Sequence, residues 1–222
     1  MNGDLHVVDD LPGIFSDTVI RAFQRRQDDE FCMALSGGST ARHCYERLAE
    51  TGAELIDWWA VNVFWSHERC VAADDPESNQ LLVRQSLLER VGAANAVYPM
   101  RCDEGPGPYQ LRLGEIGKLD LVHLTLGPDG HTASLFAGST ALDADPGQWV
   151  TLSADPTGRF PDSWMTLTLS GISRARLVVF TAAGEPCRDA LQAIVDGADL
   201  PAARVSADEV VWLVDRKIAP RH

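Results

Sequence analysis

Lysine is nearly absent. Only Lys118 and Lys217 occur among 222 residues, so a pocket for an anion must rely on arginine and backbone N–H groups. Positive charge is outnumbered as a whole, with 19 basic against 32 acidic residues and a formal net charge of −13. This excludes a general nucleic-acid binder, which needs a basic surface to displace counterions from phosphates. No run approaches the ~18 apolar residues of a membrane span. The opening "MNGDLHVVDDLPG" lacks the basic region and apolar core of an export signal. Neither nucleic acid nor membrane is therefore expected as a partner. The five cysteines, Cys32, Cys44, Cys70, Cys102 and Cys187, are odd in number and form no C-x-x-C pair. They signal neither a disulfide framework nor a structural zinc site, and a reduced, cytoplasmic setting fits them best.

With 45% hydrophobic and 23% charged residues, the chain can bury the core of one α/β domain spanning 1–222. Apolar runs of strand length alternate with longer helical stretches, the pattern of a largely parallel sheet flanked by helices. "FCMAL" (31–35) precedes a glycine-rich turn and the helical "ARHCYERLAE". "WAVNVFW" (59–65) precedes a polar loop and the helical "SNQLLVRQSLLERVG". "LDLVHLTL" (119–126), "ARLVVFT" (175–181) and "EVVWLVD" (209–215) read as further strands. In "PCRDALQAIVDG", Pro186 suits a helix's first turn and Gly197 its end. The segment 137–165, rich in Asp, Pro, Gly and Ser, reads as loop with at most a short helix. "CDEGPGPY" (102–109) reads as turn.

Ligands of open parallel sheets bind beyond the carboxyl ends of the strands, and four segments fall at such positions. In "LSGGST", Ser36, Gly37, Gly38, Ser39 and Thr40 supply close backbone approach, hydroxyls and helix-start N–H groups, an anion cradle that needs no lysine. An ordinary capped strand-to-helix turn uses the same residues. In "WSHERCV", Arg69, after Glu68, suits a developing oxyanion. His67 with Cys70 is too small a ligand set for zinc, and a solvated turn is the plainer alternative. In "LTLGPDGHTASLF", His131 has a side chain suited to accepting a proton near neutral pH, and Asp129 is placed to hold its ring in one tautomer. Gly127 and Gly130 permit a tight turn there through positive φ. In "TAAGEPCRDAL", Arg188 is the available cation or an exposed first-turn residue. His6, His43 and His222 read as surface residues, and His123 as a satisfied core or sheet-face residue.

The order SGGST, then W-S-H-E-R-C-V with D-D-P-E-S-N, then G-P-D-G-H-T-A-S-L-F, then T-L-T-L and G-E resembles the 6-phosphogluconolactonase family. It does so from about Phe31 to Leu191. The resemblance implies a fold similar to glucosamine-6-phosphate deaminase and ribose-5-phosphate isomerase. It implies hydrolysis of a sugar δ-lactone, with no metal or other cofactor. The partner implied is a small-molecule lactone, 6-phospho-D-glucono-1,5-lactone first of all, taken by a monomer or homodimer. His131 would draw a proton from water, Asp129 would position it, and Arg69 with backbone N–H groups would steady the tetrahedral oxyanion. Ser36 to Thr40 and Arg188 would meet the phosphate.

Three positions depart from the family pattern: His67 stands for Asp, Trp164 lies where an Arg is usual, and Cys187 where a Lys is usual. Ala41 replaces a common Pro. Loss of two charged hydrogen bonds to phosphate costs ~3–6 kcal/mol unless replaced. Arg188, one residue from Cys187, is the first replacement, with Arg159 and Arg42 behind it. The alternatives are an unphosphorylated lactone or a related isomerisation or deamination, with Trp164 as a stacking wall, and a non-catalytic ligand-binding protein.

Overall fold

The two most continuous apolar runs become strands buried on both faces. They are β2 (Phe31–Leu35) and β3 (Val61–Trp65), with all ten residues inside, as central parallel strands require. In the computed structural model, which describes residues 1–92 and 94–221, they lie in a seven-stranded sheet. His222 lies outside the described residues. The other members are β1 (Asp4–Val8), β5 (Ala96–Val97), β6 (Leu119–Thr125), β9 (Ala175–Ala182) and β10 (Glu209–Asp215). Their order is β1-β10-β9-β6-β2-β3-β5, and every pairing is parallel. From β2 the chain goes out to β5 on one side, returns to β6 on the other side of β2, and then moves outward through β9 to β10. Strand order thus reverses between β2 and β6, leaving a crevice at their carboxyl ends.

Helices α1 (Leu11–Gln24) and α2 (Ser39–Gly52) cover one face of the sheet. The Asp10 carboxylate accepts the Gly13 N–H at 3.0 Å, which with Pro12 starts α1. Inward residues Ala41, Cys44, Tyr45 and Leu48 recur at helical spacing on α2. The fully buried Phe15 ring of α1 lies 4.4 Å from the His123 ring on β6. His123 is satisfied as a core residue: one ring nitrogen meets the Tyr45 hydroxyl at 2.8 Å and the other Thr181 at 2.9 Å. His6 and His43 are exposed.

Several expectations need correction. The expected helix after Ser78 is continuous but irregular: α3 (Asn79–Val83), a π-helical turn Arg84–Leu88, and α4 (Glu89–Val91). The segment 137–165 is not only loop. It holds β7 (Val150–Ala154) and the start of β8 (Ser163–Leu167), which pair antiparallel with each other and with β4 (His67–Arg69). This small sheet is solvated along β7, so "VTLSA" carries no apolar run. The turn-rich "CDEGPGPY" leads into α5 (Pro106–Ile116), with Gly105 at φ 71 before it. A short α6 (Leu169–Ile172) follows β8, and α7 (Arg188–Val195) follows a 3-10 turn containing Pro186 and ends before Gly197 at φ 96.

The cysteine expectation is also overturned, because Cys70 and Cys102 form a disulfide. No spacing rule announces a pair separated by 32 residues; the end of β4 and the loop after β5 bring the two Cα atoms within 5.4 Å. Cys32, Cys44 and Cys187 are free. Closing that loop in the unfolded chain removes about 3–4 kcal/mol of chain entropy. The Cys70→Ser/Cys102→Ser variant should therefore unfold at lower denaturant than the oxidised protein, and equal midpoints would show that the cross-link contributes nothing.

Candidate functional site

At the end of β2 the chain is held by a tyrosine. The Tyr45 hydroxyl accepts the Ser36 N–H at 2.7 Å and donates to the Ser36 carbonyl at 3.0 Å. Ser36 is thus fully buried, and its backbone is occupied; its hydroxyl lies 3.5 Å from that of Thr125 at the end of β6. Gly37 is needed for space: a Cβ there would fall 1.8 Å from Asn79 Oδ1. Gly38, at φ 95, opens α2 with no side-chain cap, and Gly38 and Ser39 are exposed with Thr40 half-buried. The start of α2 therefore keeps N–H groups free of side-chain caps, the local chemistry of an anion site.

The turn after β6 carries the histidine. His131 Nδ1 lies 2.5 Å from Asp129 Oδ1, which also accepts the His131 backbone N–H at 3.2 Å. Burial pushes the Asp129 carboxyl up, but its hydrogen bonds with His131 and the charge there outweigh burial and hold it at about 2. An ionised Asp129 makes Nδ1 the donor, so Nε2 carries the lone pair. Gly130 takes φ 83 as expected, but Gly127 does not have positive φ. Its role is steric: a Cβ at 127 would sit 2.2 Å from His131 Cε1. The Thr132 hydroxyl donates to the Thr125 carbonyl at 2.9 Å, and Ala202 N–H to the Gly130 carbonyl at 3.0 Å. Thr125 thereby joins the histidine turn to the Ser36 loop. Two aromatic rings flank the imidazole, Phe136 at 4.9 Å and Phe160 at 5.1 Å. Phe160 is held by its N–H to Asp155 at 3.0 Å.

"SHER" is not a solvated turn. Glu68 is 2% exposed, and its carboxylate accepts the N–H groups of Arg69 (2.8 Å), Asn79 (2.8 Å) and Gln80 (2.7 Å). Burial raises its pKa against those bonds. It ties β4 to the start of α3. His67 is buried beside Ser66, and burial, with the potential of His131 and Arg69, lowers its pKa to about 3. The Arg69 guanidinium lies 4.6 Å over Trp164 and is paired with Glu77 and, at 3.1 Å, Asp162. It is thus near His67 but already engaged by two carboxylates. Arg188 turns toward Glu185, at 2.6 Å, and the Lys217 carbonyl. The Cys187 thiol faces β6 instead, donating to the Leu126 carbonyl at 3.0 Å.

The structure thus gathers Asp129, His131 and the 36–40 loop at one crevice, with Arg69 on an adjoining wall and Arg188 directed aside. Sequence reasoning missed Tyr45, Thr125, Phe136 and Phe160. Tyr45 occupies an ordinary inward position of α2, so its hydroxyl contacts left no sequence signal. Phe160 sits in a turn-rich segment, and nothing local directs its ring to residue 131. Among the described residues, no three His, Cys, Asp or Glu side chains are grouped as metal ligands, and no helix is long and apolar enough to cross a membrane.

A family model described as glucosamine-6-phosphate isomerases/6-phosphogluconolactonase matches residues 8–212. A 6-phosphogluconolactonase of Synechocystis sp. is 34% identical over 204 residues, covering 83% of this chain and 82% of that one. Among solved structures, 6-phosphogluconolactonase from Trypanosoma cruzi superposes with a TM-score of 0.85 at 26% identity, covering 98% of this chain and 96% of the other. A monomeric glucosamine-6-phosphate deaminase shares the fold alone, with a TM-score of 0.80 at 14% identity over 97% and 98% of the two chains. A family model that matches nearly the whole length and relatives above 30% identity agree: this chain belongs to the glucosamine-6-phosphate isomerase/6-phosphogluconolactonase family.

Proposed function

We propose that the protein hydrolyses 6-phospho-D-glucono-1,5-lactone to 6-phosphogluconate as a single domain in the cytoplasm. The observation that carries the reading is the Asp129–His131 pair, 2.5 Å apart, whose Nε2 is left as a base at the switch point of the sheet. His131 takes a proton from water as the water oxygen bonds to the lactone carbonyl carbon, giving a tetrahedral oxyanion. When the carbonyl re-forms, the ring C–O bond breaks, and the imidazolium returns the proton to the departing ring oxygen. Asp129 stays ionised and offsets the transient positive charge. Arg69 is the nearby cation for the oxyanion, where one well-aimed donor supplies about 3–4 kcal/mol.

The uncapped start of α2, Gly37 to Thr40, is the natural seat for the phosphate. Arg188 can join it by leaving Glu185, because an exposed ion pair of that kind holds by only about 0–1 kcal/mol. Phe136 and Phe160 pack beside the ring and leave it half-buried.

A second reading, an unphosphorylated lactone, is favoured by one observation. Arg69 and Arg188 are both paired with carboxylates, and Trp164 presents an apolar wall beside Arg69. Rates on 6-phosphogluconolactone and gluconolactone, each corrected for spontaneous opening, decide between the two. A large preference for the phosphorylated lactone supports the first reading, and equal kcat/KM values support the second.

His131→Ala should lower kcat by roughly 10²–10⁴-fold with an unchanged circular dichroism spectrum; retained turnover removes its assigned role. Gly127→Ala should cost comparable activity with little loss of fold, since the added methyl overlaps the imidazole. Arg188→Ala should raise KM for the phosphorylated lactone alone. The folded pKa of Asp129 lies below its ordinary 3.8. Its stabilisation is therefore complete above 3.8 and lost as pH falls toward about 2. Asp129→Asn should flatten that part of the acid-unfolding curve, whereas a superimposable curve would show that the carboxylate is not linked to folding.

A further inference from the structure

A second cavity lies away from the histidine crevice. It is a cleft of about 740 Å³ between α1 and the β1 edge of the large sheet, toward the amino ends of β9 and β10. Helix α1 packs over β6, β9 and β10, and the cleft opens along its outer side toward β1. There Val8, Leu177, Val211 and Leu213 form an apolar floor on one face, since parallel register sets Leu177 beside Glu209 and Val211 and Leu213 follow at alternate positions. On this face β1 contributes Asp4, His6 and Val8, so the apolar floor lies on β9 and β10 with Val8 at its end.

The cleft is lined by four arginines, Arg21, Arg25, Arg26 and Arg176, against two carboxylates, Asp120 and Glu209, the reverse of the balance in the whole chain. Among the described residues, ten of the 17 arginines pair with a carboxylate. Arg21, Arg25 and Arg26, all lining this cleft, pair with none among the described residues. Arg21, in the last turn of α1, and Arg25, its C-cap, are four residues apart, so their like charges repel unless an anion lies between them. The helix dipole accounts for cations in a last turn, but not for an open apolar floor beside them. Arg26 Nε is also buried without a partner. Arg176 is different: Gln27 at 2.6 Å and Asp28 at 3.1 Å hold it, fixing the end of α1 beside the start of β9.

We propose that this cleft binds a free alkyl carboxylate, its head held between Arg21 and Arg25 and its chain laid along Leu177, Val211, Leu213 and Val8. The fork of a guanidinium matches a carboxylate, and the apolar floor supplies the rest of the affinity. The cleft has the volume of a small-molecule pocket, about 300–1,000 Å³, which favours one chain over a macromolecular surface.

Isothermal titration of the full chain with decanoate, acetate and decanol tests this, alongside Arg21→Ala/Arg25→Ala and Val211→Glu variants confirmed folded by circular dichroism. Decanoate should bind one to one, and both variants should weaken it by roughly tenfold or more. Acetate and decanol, each lacking half of the recognised structure, should bind at least that much more weakly. Absence of saturable decanoate binding, equal binding by both variants, or acetate binding as tightly as decanoate would overturn the proposal.

Discussion

A buried imidazole holds together the place where this protein's strand order reverses. With the Tyr45 proton given to the Ser36 carbonyl, His123 must donate from Nδ1 to the Tyr45 oxygen and accept from Thr181 at Nε2. Burial, followed by the potential of His67, lowers its pKa to about 3, so it is neutral and able to do both. One network thereby joins β6, β9, α2 and Ser36, the residue that follows β2. A network of this kind stabilises only when every member is satisfied. Here its satisfaction sets where β2 stops and where the 36–40 loop begins.

The arrangement proposed for catalysis follows from that stop. Ser36 and Thr132 both reach Thr125, so the loop after β2 and the turn after β6 share one anchor. Tyr109 repeats the device one strand over, accepting the Trp65 N–H at 2.7 Å and donating to its carbonyl at 2.9 Å. Two tyrosines thus end two neighbouring strands just before the segments that line the crevice. Glu68 completes the frame from the other side by capping α3 with a buried carboxylate. Rigid supports around a small set of polar groups suit chemistry that depends on aim, because a misplaced base loses its reach to the attacking water.

The crevice uses charge sparingly. His67 is kept neutral by burial, Arg69 is balanced by Glu77 and Asp162, and Asp129 is held ionised by His131. In a chain of net charge −13 with two lysines, the groups proposed to meet an anionic substrate are arginines and helix-start N–H groups rather than a general positive surface. The same economy gives Arg21, Arg25 and Arg26 their weight in the second cleft.

Local chemistry alone determined the five principal strands, the two glycine-rich turns and the pairing of Asp129 with His131. Apolar runs must be buried, and a carboxylate two residues from a histidine needs only one turn to reach it. Family resemblance carried the reaction class, because G-P-D-G-H-T-A-S-L-F is a long and specific block. Only tertiary structure decided that Gly127 is there for space rather than for φ, and that Arg188 turns to Glu185. It also decided that Phe160 covers the imidazole and that Cys70 meets Cys102. Each of these depends on where a distant part of the chain comes to rest, and spacing along the backbone carries no record of that.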